Sequence, residues 1–391
     1  MNEKMTLKEW LPLLGITFAA FIFNTSEFMP IALLTDIGAD FQISEATAGS
    51  LISIYALFVM LLSFPLMVLA SKVEFRKLLL STLFCFVVAQ ILSGIATSFS
   101  MLMLSRLFVA CTHAIFWSIA TPLGVRVVKE NHQSLAMSVI VSGSSIAMIF
   151  GMPLGRMIGL YVGWRMTFIV VGMISLAIFI YLACIFPKVS QTKSFSFKEL
   201  PTLLQNSRLI RIYVLTFLFA TAYYTGYSYI DPFLQQVAKL SDNFITIVLM
   251  VFGSAGLVGS ALFSKFYDKK RSMFVSGMTI FMAIALFLLY PSSKNPATIL
   301  MLCAFWGMSA TACNVTYQAE LLKASSQDTS AIAMSIYSGI FNLGISLGTY
   351  IGGEVTTYFT VANIGYVGFV IALFAFVYCR FRVQPTHKEI V

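Results

Sequence analysis

"GMPLGRMIG", Gly151 to Gly159, is echoed by "GISLGTYIG", Gly344 to Gly352, at an offset of 344 − 151 = 193 residues. A second pair of stretches keeps the same offset: "LASKVEFRK" starts at Leu69 and "LFSKFYDKK" at Leu262, and 262 − 69 = 193. Short matches arise by chance in apolar sequence, but a shared offset is a stronger signal. Crossing a bilayer as a helix takes about 20 predominantly apolar residues. Runs of that kind fall near 10–35, 46–70, 77–97, 100–124, 134–160 and 164–187, then 209–233, 243–267, 272–291, 296–322, 329–357 and 361–380. The repeat offset therefore maps the first six runs onto the last six. The widest polar gap, Lys188 to Arg208, divides the chain into 1–187, a linker 188–208, and 209–391. The expected fold is an all-α integral membrane protein with twelve transmembrane helices. They form two six-helix bundles related by a pseudo-twofold axis along the membrane normal.

Composition agrees. Of 391 residues, 59% are hydrophobic and 10% charged, and mean hydropathy is +0.88; soluble domains carry about 25% charged residues. The net charge of +9 does not point to nucleic acid, because the basic residues sit in short loops between the apolar runs. With the N-terminus placed in the cytoplasm, twenty Lys and Arg face inward. Only Arg165, Lys239 and Lys294 face outward, while Arg106 and Arg156 lie within spans. The positive-inside rule thus expects both termini on the cytoplasmic side. The six cysteines show no CxxC or metal-ligand spacing and read as small buried hydrophobes. No cleavable signal peptide is evident. No cofactor or metal is expected, and no phosphate loop, nucleophile triad or acidic loop suggests an enzyme.

Twelve spans, a 6+6 repeat, basic loops after the second and eighth spans and a glycine–proline fifth helix resemble the major facilitator superfamily. "TSEFMP" (Thr25–Pro30) together with "GMPLGRMIGLYVGWRMTF" resembles its drug:proton antiporter branch. With "RLFVACTHAIFWS" (Arg106–Ser118) added, the chain looks most like the bacterial sugar efflux transporters of the SotB type. The superfamily's loop pattern G-x-L-A-D-R-x-G-R-R departs here to "LASKVEFRK": Ser71 replaces its aspartate, Lys72 its arginine and Glu74 its glycine. Lys72 and Arg76 in this loop are expected to act on conformation, with Glu74 or Asp268 substituting in any charge latch. The antiporter G-P-x-x-G-G is present only as Gly151-Met152-Pro153-Leu154-Gly155-Arg156.

Glu27 is the sole charged residue between Trp10 and Thr35. An ionisable group in a span costs about 2.5–3.5 kcal/mol on insertion scales and marks a functional site by default. Asn24, at i−3, shares its face, and Pro30 weakens the helix ladder one turn on. Glu27 is expected to carry protons; the alternative is a permanent structural ion pair. In the fourth span Arg106, Ala110, His113 and Trp117 form one stripe at spacings 4, 3 and 4. The resemblance gives Arg106 a part in proton coupling. The ordinary pKa of a histidine lies near neutral, so His113 is a residue type that can change charge there without large perturbation; the alternative is a packing residue. Trp117 offers an apolar face to a sugar, or packs.

Gly151, Gly155 and Gly159, with Gly143, permit close helix approach, and Pro153 adds a bend. They are expected to form a seam between the halves that opens and reseals. In the seventh span Tyr223, Tyr224 and Tyr227 offer faces and hydroxyls to a polyol, whereas Tyr229 reads as an interfacial anchor and Asp231 as a gate or cap. Thr311, Asn314 and Gln318 form an amide stripe in the tenth span, joined by Asn342. Amides donate and accept as sugar hydroxyls do; interhelical polar glue is the alternative reading.

The expected function is proton-coupled efflux of a small neutral polyhydroxylated solute by alternating access. It implies a monomer in a bacterial inner membrane, with solute, protons and the bilayer as partners. The alternatives are a multidrug or nucleoside proton antiporter of the same branch and a non-transporting sensor on the same scaffold.

Overall fold

The computed structural model describes residues 5–70, 73–188, 205–325 and 330–383, and among them there is no β-strand. Six helices precede the linker: α1 (Leu7–Phe28), α2 (Glu45–Ala70), α3 (Phe75–Gly94), α4 (Phe99–Arg126), α5 (Gln133–Val162) and α6 (Trp164–Ile185). Six follow it: α7 (Ser207–Tyr227), α8 (Asp242–Phe266), α9 (Arg271–Phe287), α10 (Pro296–Ala324), α11 (Ser330–Tyr358) and α12 (Ile364–Tyr378). Each matches an expected span to within a few residues. Ten passages among the described residues are long and apolar enough to cross a membrane. Of the other two, α9 has 17 residues, and α11 has 29 but carries serine, glycine, asparagine and threonine along its length.

Local chemistry sets the ends. At α1, Glu9 accepts from the Thr6 backbone N–H (2.8 Å) and hydroxyl (2.9 Å), a capping box that satisfies a donor at the helix start. Ser98 caps α4 by accepting from the Met101 N–H at 3.2 Å, and Asn295 caps α10 by accepting from the Ala297 N–H at 2.8 Å, just before Pro296. Past Phe28 the first passage tightens to a 3-10 turn, Met29–Leu33, and then resumes as Leu34–Phe41. Pro30 explains the break, since it lacks an N–H for the ladder.

The chain forms two compact units: Met1–Leu33 with Phe58–Phe195, and Leu34–Leu57 with Ser196–Val391. In sequence they change over at 195/196. The grouping departs from a simple cut there because Leu34–Leu57 packs with the second unit. In that unit Glu45 Oε1 accepts from Thr35 (3.0 Å) and from the Gln236 amide (2.6 Å). Tyr229, expected at an interface, is 1% exposed and lies against Gly49, Gly352 and Gly353.

The repeat is visible in the packing. α1 packs on α5, α3 on α4 and α6; likewise α7 packs on α11, and α9 on α10 and α12. The glycine stripe lies within these pairs. A Cβ at Gly151 would meet Thr25 Cα at 3.0 Å, and one at Gly155 would meet Met29 Cβ at 2.6 Å. In the second unit a Cβ at Gly348 would overlap the Thr221 carbonyl oxygen. The expected seam between halves is therefore corrected: Gly151 and Gly155 seat α5 on α1 inside the first unit. Gly159 and Pro153 are buried on the same helix. The reason is that small residues serve the nearest backbone, and for α5 that backbone is α1.

Further expectations are revised. Arg156, placed within a span by the sequence, is 2% exposed. Cys85 and Cys184 are exposed while Cys303, Cys313 and Cys379 are buried; apolar span surfaces face lipid as readily as core. Lys72 lies outside the described residues. Arg76, expected to act on conformation, donates from Nη2 to the Ala183 carbonyl at 2.7 Å, a contact that leaves that expectation open. There it satisfies one of the last orphan carbonyls of α6, where a cation also complements the helix dipole.

Candidate functional site

In the first unit the site is built around the end of α1. Glu27 sits on its last turn with a side chain 12% exposed, and His113 of α4 approaches it, Nε2 to Oε2, at 3.6 Å. Two residues read separately from the sequence thus form one titratable pair. The His113 ring is framed by Phe23 (centroids 6.1 Å) and Trp117 (6.2 Å). Trp117 is itself half-buried and packs edge-on against Phe116 at 5.5 Å. Asn24 does not share this direction. Its amide donates to the Ser144 hydroxyl of α5, so the expected common face of Asn24 and Glu27 splits, one side chain turned to α5 and the other to α4.

Two turns before His113 on α4, Arg106 is 1% exposed and donates to the Ser26 carbonyl at 3.0 Å and to the Ser26 hydroxyl at 3.1 Å. The local cause is Pro30. In an α-helix the Ser26 carbonyl would accept from the N–H four residues on, and a proline has none. The Met29 N–H makes the last regular rung, to the Thr25 carbonyl, and the next rung lacks its donor, so the Ser26 oxygen is left to the guanidinium. Gln90 of α3, wholly buried, also donates to the Ser26 hydroxyl. Neither Ser26 nor Gln90 stood out in the sequence; the signal that finds Ser26 is its position four residues before Pro30.

This geometry gives a prediction. Arg106→Leu leaves a buried carbonyl without a donor, at a cost of about 1–3 kcal/mol. Adding Pro30→Ala returns an N–H to that carbonyl, so the double variant is expected to melt above Arg106→Leu alone. Equal melting temperatures would show that the broken rung is not what Arg106 holds.

In the second unit Tyr223 and Tyr227 stack at 4.8 Å, Tyr224 meets Tyr223 edge-on at 4.8 Å, and Phe252 stacks on Tyr227 at 5.1 Å. Trp306 of α10 closes the group from below, 5.8 Å from Tyr223 and 5.4 Å from Phe252. Phe252 and Trp306 escaped the sequence reading, since single aromatics in an apolar span look like core. The amide stripe is only partly realised. Asn314 Oδ1 accepts from Gln318 Nε2 (3.0 Å) and from the Tyr337 hydroxyl (2.9 Å). Thr311, however, turns its Oγ1 toward Gly256 of α8, where a Cβ would meet it at 2.5 Å. Asn342 donates to its own helix, to the Ser338 carbonyl at 3.0 Å, and its buried Oδ1 has no partner among the described residues. Asp231 is fully buried and accepts from Gln235 Nε2 at 2.6 Å.

Two further charged groups lie at the ends of spans. Glu320 of α10 accepts from Arg271 (2.6 and 2.5 Å) and from the Tyr267 hydroxyl (2.7 Å). Asp268 pairs with Lys323 at 3.1 Å. Glu320 thus holds Tyr267 and Arg271 to α10.

Comparison with known proteins gives these features a frame. The profile of the Major Facilitator Superfamily matches residues 16–331. The chain belongs to the major facilitator superfamily. Its fold is similar to that of a bacterial homolog of the human lysosomal transporter Spinster. The inward-facing, unoccupied crystal structure of that protein superposes with a TM-score of 0.85 at 14% identity, covering 98% of both chains. The inward-facing, occupied structure gives 0.79 at 16% identity, covering 96% of this chain and 97% of that one. The human organic anion transporter MFSD10 (TETRAN) gives 0.68 at 13% identity, over 95% and 98%. At these identities the likeness carries the fold. The protein is thus a multi-pass membrane transporter with the major facilitator fold, and not an enzyme.

Proposed function

We propose that this transporter exports a small neutral polyhydroxylated solute in exchange for protons. Its two six-helix repeats, divided near residues 188–208, would expose one central site to either side of the membrane in turn. The observation that carries the reading is the approach of His113 to Glu27 at 3.6 Å on the last turn of α1. A mostly buried carboxylate and imidazole that face each other form a pair whose proton content can change during a cycle. Exchange requires that proton and solute favour different conformations, because neither shifts the equilibrium without differential affinity.

Trp117, Tyr223, Tyr224 and Tyr227 would offer ring faces, and Asn24, Thr311, Asn314, Gln318 and Asn342 would offer amides and a hydroxyl, to a ligand of C–H faces and hydroxyl edges. Arg106 and His113 would set the charge around Glu27. Gly151, Pro153, Gly155 and Gly159 would keep α5 and α1 moving as one body, with Lys72 and Arg76 acting at the cytoplasmic loop. The reading places a monomer in a bacterial inner membrane, with both termini in the cytoplasm.

A multidrug or nucleoside antiporter is the second reading, favoured by the Tyr223–Tyr227–Phe252–Trp306 aromatic group. Counterflow in proteoliposomes with a panel of sugars, nucleosides and lipophilic cations, with and without a pH gradient, separates the two. Sugars are expected to exchange and to accumulate against a gradient only when protons flow the other way. Exchange of lipophilic cations with no competition by sugars would overturn the solute class.

A further inference from the structure

The chain has three histidines, and two of them meet glutamates of the same helix. His113 approaches Glu27 as described; His132, in the short turn between α4 and α5, places Nδ1 3.2 Å from Glu9 Oε1. Glu9 and Glu27 are 18 residues apart on α1. At 3.6 residues per turn that is five whole turns, so both project from one face, about 27 Å apart along the axis. One strip of α1 thus carries two Glu–His pairs, one at its last turn and one at its first.

The lower pair is a built site. Glu9 is 7% exposed and His132 8%. Glu9 Oε2 accepts from Thr6, and Oε1 accepts from the Lys129 backbone N–H at 2.8 Å as well as facing His132. Because Oε1 is an acceptor, the Nδ1 that faces it is the ring nitrogen bearing hydrogen. A proton that charges the ring therefore binds at Nε2, converting a neutral hydrogen bond into an imidazolium–carboxylate pair. Among the described residues the other charged groups in this turn and at the adjoining helix ends are Lys8 on α1, Arg126 at the end of α4, and Lys129 and Glu130 in the turn, all exposed; Arg126 lies over the Phe75 ring at 4.7 Å. From the first turn of α5, Gln133, Leu135 and Ala136 contribute no charge.

We propose that Glu9 and His132 form a second proton-binding site, at the end of α1 opposite Glu27, which makes the anchorage of this helix to the α4–α5 turn depend on proton concentration on that side. By the positive-inside orientation that side is the cytoplasm. The proposal deepens the proton-coupled reading, but its test does not pass through Glu27, so either can fail alone.

The test is a histidine Cε1–H titration by NMR on the full-length protein in detergent, with His113→Gln and His387→Gln used for assignment and lysine amides labelled with 15N. Glu9→Gln keeps an acceptor oxygen for the helix cap and removes the charge. The His132 titration is expected to move to lower pH in Glu9→Gln by about one unit, as for loss of an opposite charge within 4–6 Å. The Lys129 amide, which shares Oε1, is expected to follow the same titration in the wild type and to lose it in His132→Gln. Coincident His132 curves in the wild type and Glu9→Gln would overturn the proposal, as would a Lys129 amide that does not respond to pH.

Discussion

Glu27→Gln is expected to abolish uphill transport driven by a pH gradient while leaving downhill solute counterflow in place. Glutamine has the size and polarity of glutamate, so it keeps the contact made at 3.6 Å to His113 and the packing at the end of α1. What it loses is the ability to gain and release a proton. Loss of a positioned proton-transfer group costs about 100-fold or more, and here the gradient-driven component should fall to the level of empty vesicles. The fold should not suffer, because an amide is cheaper to keep out of water than a carboxylate, so melting temperature should hold or rise. Reconstituted mutant that still accumulates solute at the wild-type rate under a pH gradient would remove Glu27 from the coupling mechanism.

The second large effect concerns stability. Arg271→Met is expected to destabilise the second unit by about 3 kcal/mol, since breaking one side of a buried pair strands the other charge. Glu320 has a side chain only 2% exposed, and Arg271, at 24%, supplies two of its hydrogen bonds. The Tyr267 hydroxyl would be left as the remaining donor seen at Glu320 Oε1. Replacing both partners, Arg271→Met with Glu320→Leu, should recover most of the loss, because apolar pairs of similar volume substitute well for buried ion pairs. Thermal melting of the three variants checks the ordering; a double variant no more stable than Arg271→Met would refute the stranded-charge account.

The twelve passages were legible because each run needs only length and apolar content to be recognised, and a helix in lipid satisfies its backbone within itself. The repeat at 193 residues likewise needs nothing but the sequence, and it reappears as α1 on α5 and α7 on α11. Glu27 was legible for a related reason, since a charge between Trp10 and Thr35 is costly in an apolar span and marks a functional site by default.

Direction and partnership were not legible. Helical spacing put Asn24 and Glu27 together, yet one bonds to Ser144 and the other faces His113, because a 60° difference on a helix surface selects a different neighbour. The same spacing aligned Thr311 with Asn314 and Gln318, but the closeness of Gly256 drew Thr311 toward α8. The glycines announced close contact without saying with what. Sequence alone therefore determined the class of protein, its passages through the membrane and the unusual charge in the first of them, all of which are one-dimensional properties of apolar content and periodicity. Only the tertiary structure decided that Glu27 meets His113, that Arg106 fills the gap Pro30 leaves at Ser26, and that Glu9 meets His132. Each joins residues 80 to 123 positions apart, and such pairings are fixed by how helices pack, which no local pattern encodes.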